Sequence, residues 1–208
     1  MKTVLKSIFL LIISFSCFSQ NSGKEKLNLT FINECSNQKI TPEFDIDSNQ
    51  DFLNYRLITV YLKRKEWISQ FSTTLKTNKD TIAVPKILFS SGNELHSKRW
   101  TYLNCDKVCD GIETDFYSNG NKRLEGNFKN GKPIEIKDFR PNGKLLTQTY
   151  YENLTLNYER VNYFNENGEL TEYEIYKNKK RKTIIRTFDK NDNLINKETE
   201  KKYIERNK

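Results

Sequence analysis

The stretch Phe116–Lys132, FYSNGNKRLEGNFKNGK, carries Asn–Gly twice in seventeen residues, each time two or three positions after an aromatic ring. The unit recurs downstream. Asn–Gly stands at Asn119–Gly120, Asn130–Gly131, Asn142–Gly143 and Asn167–Gly168, with altered forms at Asn153–Leu154, Asn178–Lys179 and Asn191–Asp192. These asparagines lie 11, 12, 11, 14, 11 and 13 residues apart. Phe116, Phe139, Phe164 and Phe188 each precede one by three residues, whereas Phe128, Tyr151 and Tyr176 precede one by two. The full period is therefore 23 to 25 residues and contains two turns.

Turn chemistry explains the spacing. A two-residue hairpin turn of type I′ needs positive φ at both central positions, which Gly adopts freely and Asn at small cost. About nine residues remain between corners, enough for one strand with its ends. Ile134–Glu135–Ile136 and Leu156–Asn157–Tyr158 alternate as half-buried strands do, with Ile134 and Ile136 expected on one face. The phase then breaks at Phe139 and at Val161/Tyr163, which predicts β-bulges or aromatic rings on both faces. Residues 111–203 read as an elongated antiparallel meander of about eight strands.

Residues 27–110 read as a small β-sandwich-like domain. Candidate strands are Leu27–Ile32, Tyr55–Leu62, Trp67–Leu75, Thr81–Phe89 and Arg99–Leu103, with turn signals at Asp47–Asn49, Thr77–Asp80 and Ser90–Asn93. A short helix over Asn49–Tyr55 is the one helical alternative. No flexible linker separates the two regions, because Cys105–Gly111 leads directly into the first repeat strand. The fold class is all-β, closed by a basic tail at 204–208.

The pattern aromatic–X–X–Asn–Gly–Asn/Lys followed by Glu–Gly–X–Phe–X–Asn–Gly–Lys–Pro resembles the bacterial variant of the MORN repeat. It is strongest in Phe116–Lys132 and Phe139–Lys144, returns at Tyr163–Gly168, and weakens after Tyr176. The Gly–X–Trp usual after the turn is absent, and Leu154, Lys179 and Asp192 stand where turn glycines are expected. The resemblance implies a hairpin-repeat sheet. Its antitoxin label implies an immunity role, although an export signal sits badly with neutralising a cytoplasmic toxin.

Lys2 and Lys6 precede the apolar run Ile8–Ile13, and no further charge appears until Lys24. The run is shorter than the ~20 apolar residues of a membrane span. It suits a signal peptide over residues 1–19, with Cys17 and Ser19 as the small residues before cleavage at Ser19–Gln20. Ser14–Cys17 loosely resembles a lipobox, so acylation of Cys17 and a lipid-anchored envelope protein is the alternative to a free exported one. No transmembrane helix is expected in the mature chain.

Mean hydropathy is −0.79, yet the chain holds 13 Phe and 11 Tyr, too many aromatics for disorder and well suited to thin sheets. The net charge of +8 is concentrated at one end: residues 176–208 carry 12 basic and 5 acidic groups, and residues 20–175 sum to −1. Lys179, Lys180, Arg181 and Lys182 form the one dense basic run, at an expected turn. A solvated hairpin tip and a contact for polyanions are its two readings, and nucleic acid is not an expected partner of an exported chain.

Catalytic signatures are missing. The single histidine, His96, falls in a loop, and no Gly-rich phosphate loop, G-x-S-x-G or H-E-x-x-H occurs. No cofactor is expected. Cys35, Cys105 and Cys109 remain after cleavage, and an oxidising compartment favours a disulfide between two of them. The sequence does not select the pair. A Cys₃His zinc site from Cys35, His96, Cys105 and Cys109 is the sharper alternative. The reading that follows is a non-catalytic envelope protein whose repeat sheet presents Tyr, Phe and Lys to a protein, glycan or anionic lipid. The alternatives are an immunity protein and a hydrolase using paired carboxylates in residues 27–104.

Overall fold

Among the described residues every regular element is a strand, and the strands form three sheets. The structure, a computed structural model, describes residues 27–51, 54–64, 67–92 and 99–202. Cys17, Ser19, Gln20, His96 and the 204–208 tail lie outside them.

The first sheet is small. Strand β1 (Thr30–Asn33) pairs antiparallel with β2 (Gln38–Ile40) and parallel with β6 (Thr81–Val84). The second sheet has six strands in the order β3 (Glu43–Asp51), β4 (Arg56–Arg64), β5 (Trp67–Leu75), β7 (Ile87–Gly92), β8 (Trp100–Asn104) and β9 (Lys107–Val108). Alternation along Arg56–Arg64 buries Ile58, Val60 and Leu62, which meet Phe31, Ile82 and Val84 of the small sheet. This is the sandwich that the alternation predicts.

Three expectations differ here. Thr81–Phe89 is not one strand: Pro85, which has no amide to donate to a ladder, separates β6 from β7, and the two join different sheets. The Asp47–Asn49 turn signal and the start of the Asn49–Tyr55 helix instead continue β3 through a bulge between Ser48 and Gln50. β1 begins at Thr30 rather than Leu27.

The third sheet is the repeat. Its eight strands follow chain order: β10 (Gly111–Phe116), β11 (Lys122–Lys129), β12 (Lys132–Phe139), β13 (Leu145–Tyr151), β14 (Tyr158–Phe164), β15 (Leu170–Asn178), β16 (Lys182–Asp189) and β17 (Leu194–Lys201). The corners differ in how many residues take positive φ. Asn130 and Gly131 both take positive φ, 50° and 73°, as a two-residue type I′ turn requires. At Gly120, Gly143, Gly168 and Asp192 only one residue does, closing a three-residue loop. The Asn142 carboxamide accepts from Lys144 N at 3.0 Å, and the Asp189 carboxylate accepts from Asn193 N at 2.8 Å.

Six of the seven hairpins carry a register shift one or two residues into the second strand. The unpaired residues are Arg123, Ile134, Leu146, Glu159, Thr171 and Ile195. These bulges are the phase breaks seen in the sequence. They also correct one assignment: Ile134 is a bulge residue and 40% exposed, whereas Ile136 is buried, so the two do not share a face.

The repeat sheet is fastened to the N-terminal sheets at its first hairpin. Gly131 N donates to Cys109 O at 2.7 Å, and Tyr102 N donates to Gly131 O at 2.9 Å. A Cβ at Gly131 would overlap Thr101 Oγ1, so this corner demands glycine for packing as well as for φ. Phe128 folds its ring over Gly126 and packs with Ile87, Cys109 and Ile136. Asp115, fully buried, takes a hydrogen bond from Ile87 N and pairs with Arg123, which also reaches Glu34 at 3.1 Å.

Cys35 and Cys105 form the disulfide, closing a 70-residue separation with a Cα–Cα distance of 5.5 Å. Of the three candidates, Cys109 stays a free, buried thiol, pushed by burial up to about 12. The bond takes two of the four donors of the zinc alternative, and among the described residues no cluster of three or more metal-binding side chains forms. Replacing Cys35 and Cys105 by Ser is expected to lower stability by roughly 4 kcal/mol from chain entropy alone. Urea unfolding of the two forms measures it, and equal midpoints would contradict the assignment.

Candidate functional site

Turns alternate between two rims of the repeat sheet. The first rim holds the loops after β10, β12, β14 and β16, and it is stitched together. Asn119 and Asn121 both donate to Pro141 O at 2.8 Å. The Arg140 guanidinium donates to Leu145 O at 2.7 Å, Phe164 O at 2.7 Å and Asn165 O at 2.9 Å. The first two corners thereby each satisfy carbonyls of the next.

The second rim is different. Its first corner, Asn130–Gly131, is docked on the N-terminal sheets. The second, between β13 and β14, exposes Leu154 (36%) and Leu156 (39%), with Tyr158 (42%) at the start of the following strand. Leu154 has φ +57° and Asn153 φ +45°. A γ-branched apolar side chain in the left-handed region is uncommon, because its Cβ crowds the backbone that Gly or Asn tolerates. Here that strained residue points an apolar side chain at solvent.

The third corner is basic. Its tip lies at Lys180–Arg181 rather than at the expected Asn178–Lys179, and no residue from Asn178 to Lys182 takes positive φ. Lys179, Lys180, Arg181 and Lys182 are all exposed, as is Lys177. β17 adds more: Lys201 is the direct cross-strand partner of Lys182, and Lys202 N donates to Arg181 O at 3.0 Å. Like charges directly opposite on a sheet repel. None of these seven cations forms an ion pair with another described residue. The leucine and lysine corners are neighbours, joined where Asn178 Nδ2 donates to Tyr158 O at 2.8 Å, and lie about 10 Å apart by strand spacing.

Behind this rim runs a tyrosine row. Tyr158 makes edge-to-face contacts with Tyr151 and Tyr176, with ring centroids 5.5 and 5.4 Å apart. Tyr163 and Tyr176 both donate to Glu174 Oε2, at 2.8 and 2.5 Å. On the opposite face Gln148 donates to Glu135 at 2.6 Å, and Asn162 to Gln148 at 3.1 Å. Arg160 donates to Asn162 at 2.7 Å and lies 4.0 Å from the Tyr173 ring centroid. These polar groups of the two faces bond one another, whereas the second rim sets exposed apolar tips beside exposed cations.

The sequence singled out the basic tetrad and marked Leu154 as a turn anomaly. It missed Leu156, Tyr158, Lys177, Lys201 and Lys202, whose proximity comes from strand register. Among the described N-terminal sheets, the carboxylates of Glu43 and Asp45 both reach Lys63 Nζ, at 2.5 and 3.7 Å, on exposed side chains that do not line a cavity. The cavity there, about 280 Å³, has Asp106 as its one acidic lining residue, and Arg64 pairs with it. No protein-family model matches the chain, and a search of the curated proteins gives no significant match.

Asp138 supplies a pH test of the tyrosine face. Burial beside Tyr102, Tyr151 and Tyr158 raises its carboxyl to about 6, partly opposed by the Thr147 hydroxyl that donates to it at 3.1 Å. An unfolded Asp titrates near ~3.9. The folded state therefore holds the proton more tightly, and stability falls as pH rises from about 4 through about 6. Asp138→Asn is expected to stabilise the protein by roughly 1–3 kcal/mol at pH 7.5, with little effect at pH 3.5. Thermal melts of both forms at the two pH values decide it, and equal shifts would refute the assignment.

Proposed function

We propose that this is an exported, non-catalytic protein of the bacterial cell envelope that docks through the second rim of its repeat sheet onto an anionic lipid surface. The observation that carries the reading is the juxtaposition of a strained, exposed leucine corner with an unneutralised basic corner. Physically the two suit one boundary. Lysines and arginines near an anionic membrane gain about 1 kcal/mol each, and neighbouring apolar tips gain by entering the headgroup region. Leucine strain that nothing inside the fold repays is consistent with a partner outside it.

Further support is circumstantial and points the same way. The Cys35–Cys105 disulfide suits an oxidising compartment, which matches the signal-like start of the chain. Among the described residues no helix is long and apolar enough to cross a membrane, so attachment on this reading is peripheral or through an acylated Cys17. The hairpin sheet is also what the MORN-like repeat pattern implies.

Sedimentation with vesicles tests the proposal. Binding is expected to vesicles containing phosphatidylglycerol and not to pure phosphatidylcholine, and to weaken as salt screens the basic corner. Exchanging Lys179, Lys180 and Arg181 to Ser is expected to reduce affinity about 100-fold, from ~1 kcal/mol per charge. Leu154→Gly separates function from stability: Gly relieves the positive φ and leaves the fold at least as stable, yet lowers affinity about tenfold through lost apolar burial. Unchanged binding by both variants would overturn the reading.

A further inference from the structure

The N-terminal sandwich contains a cavity of about 280 Å³ where β2, β4, β7 and β8 meet. Its floor is apolar: Ile40, Leu62, Val84, Leu88 and Leu103 line it, and Leu62, Val84 and Leu88 are otherwise buried core residues. The small sheet stops short here, so the larger sheet's inner face is left open at one end. At roughly 30 Å³ per water molecule in the liquid, the space admits a ligand on the order of ten heavy atoms. Pockets that hold small ligands have this make-up, an apolar lining with a few placed polar groups.

The polar groups at the mouth are unbalanced. Arg64 is paired with Asp106, but Lys86 is exposed and forms no ion pair with a described residue. Lys86 is held there by its neighbours. Pro85 fixes the backbone before it, and Cys105 N donates to Lys86 O at 3.0 Å, with Cys105 itself tied to Cys35. Glu34 N, next to the same disulfide, donates to Val84 O at 3.2 Å. A cation on an anchored backbone beside an apolar chamber recognises a charge and a short hydrocarbon at once.

We infer that this cavity binds a small amphiphilic carboxylate, with the hydrocarbon between the two sheets and the carboxylate at Lys86 and Arg64. The disulfide forms part of the wall and sets the width of the mouth. The site is separate from the second rim and does not depend on the docking proposed above.

The probe is octanoate, followed by methyl chemical shifts of the full mature chain with the disulfide intact. Saturable shifts are expected at Leu62, Leu88 and Leu103, with octanol weaker and acetate without effect. Lys86→Gln changes an exposed side chain and leaves the core untouched. It is expected to weaken octanoate at least fivefold and to leave octanol unchanged. Leu103→Trp, which fills the chamber, is expected to abolish both, and its thermal melt shows whether it folds. Absence of saturable shifts, shifts confined to Leu154 and Leu156, or equal octanoate affinity in wild type and Lys86→Gln would each refute the site.

Discussion

At six of seven hairpins of the repeat sheet, one residue beyond the corner has no partner across the ladder. In a structure whose side chains alternate with period two, a single unpaired residue reverses the facing of everything beyond it. The bulges therefore decide which side chains line each face. They let Phe128 fold over Gly126 and Ile136 reach the junction core, and they send Ile134, Leu146 and Ile195 outward. The one hairpin without a bulge, β15–β16, is also the one whose corner has no residue at positive φ, and it carries the basic run.

A long sheet built from local hairpins has little to hold its two ends to anything else. The chain addresses this at one end only. Buried Asp115 and half-buried Arg123 and Glu34 form a charged cluster across the junction, and Arg123 is itself a bulge residue, re-aimed by the extra position in β11. Buried ion pairs contribute little net stability but are costly to break singly, so the cluster fixes geometry more than it adds free energy. Lys132 reinforces it, donating to Trp100 O with its ammonium 3.4 Å from the Trp100 ring centroid. Among the described residues no strand pairs with the other end. β17 is exposed throughout, and the charges of Lys197, Glu198, Glu200 and Lys201 blunt its open edge against strand addition.

The repeat was legible because its signal is local. Asn–Gly corners and aromatic spacing depend on neighbours within a few residues, so strand count and chain order could be read directly. The distinction between two-residue and three-residue corners was not, since both use Asn–Gly and differ only in hydrogen-bond closure. Ile134 and Ile136 look like face mates because nothing in their composition marks a bulge. In the N-terminal part the errors were of the same kind. Pro85 could have split Thr81–Phe89, but β3 was hidden by Asp47–Asn49, whose turn-like composition lies within a strand that bulges there. Disulfide choice and the cavity depend on contacts between residues far apart in sequence, which periodicity does not encode.

The two rims follow from the same repeat yet end in opposite chemical states. On the first, Asn and Arg side chains reach carbonyl groups of adjacent corners among the first three, and the Asp189 carboxylate accepts from amides of its own corner. On the second, the corners drift from Asn–Gly to Asn–Leu to Lys–Arg, and one side-chain bond, Asn178 to Tyr158 O, joins the last two. A corner that keeps Leu154 at positive φ in solvent, beside one that sets Lys182 against Lys201, raises the free energy of the isolated protein twice over. On the docking reading proposed above, a surface that is apolar and anionic within about 10 Å, the spacing of neighbouring hairpins on a sheet, would lower both terms together. The N-terminal cavity meets the same pairing of apolar surface and positive charge at molecular rather than interfacial scale. Its leucine floor lies beside Lys86, which forms no ion pair with a described residue.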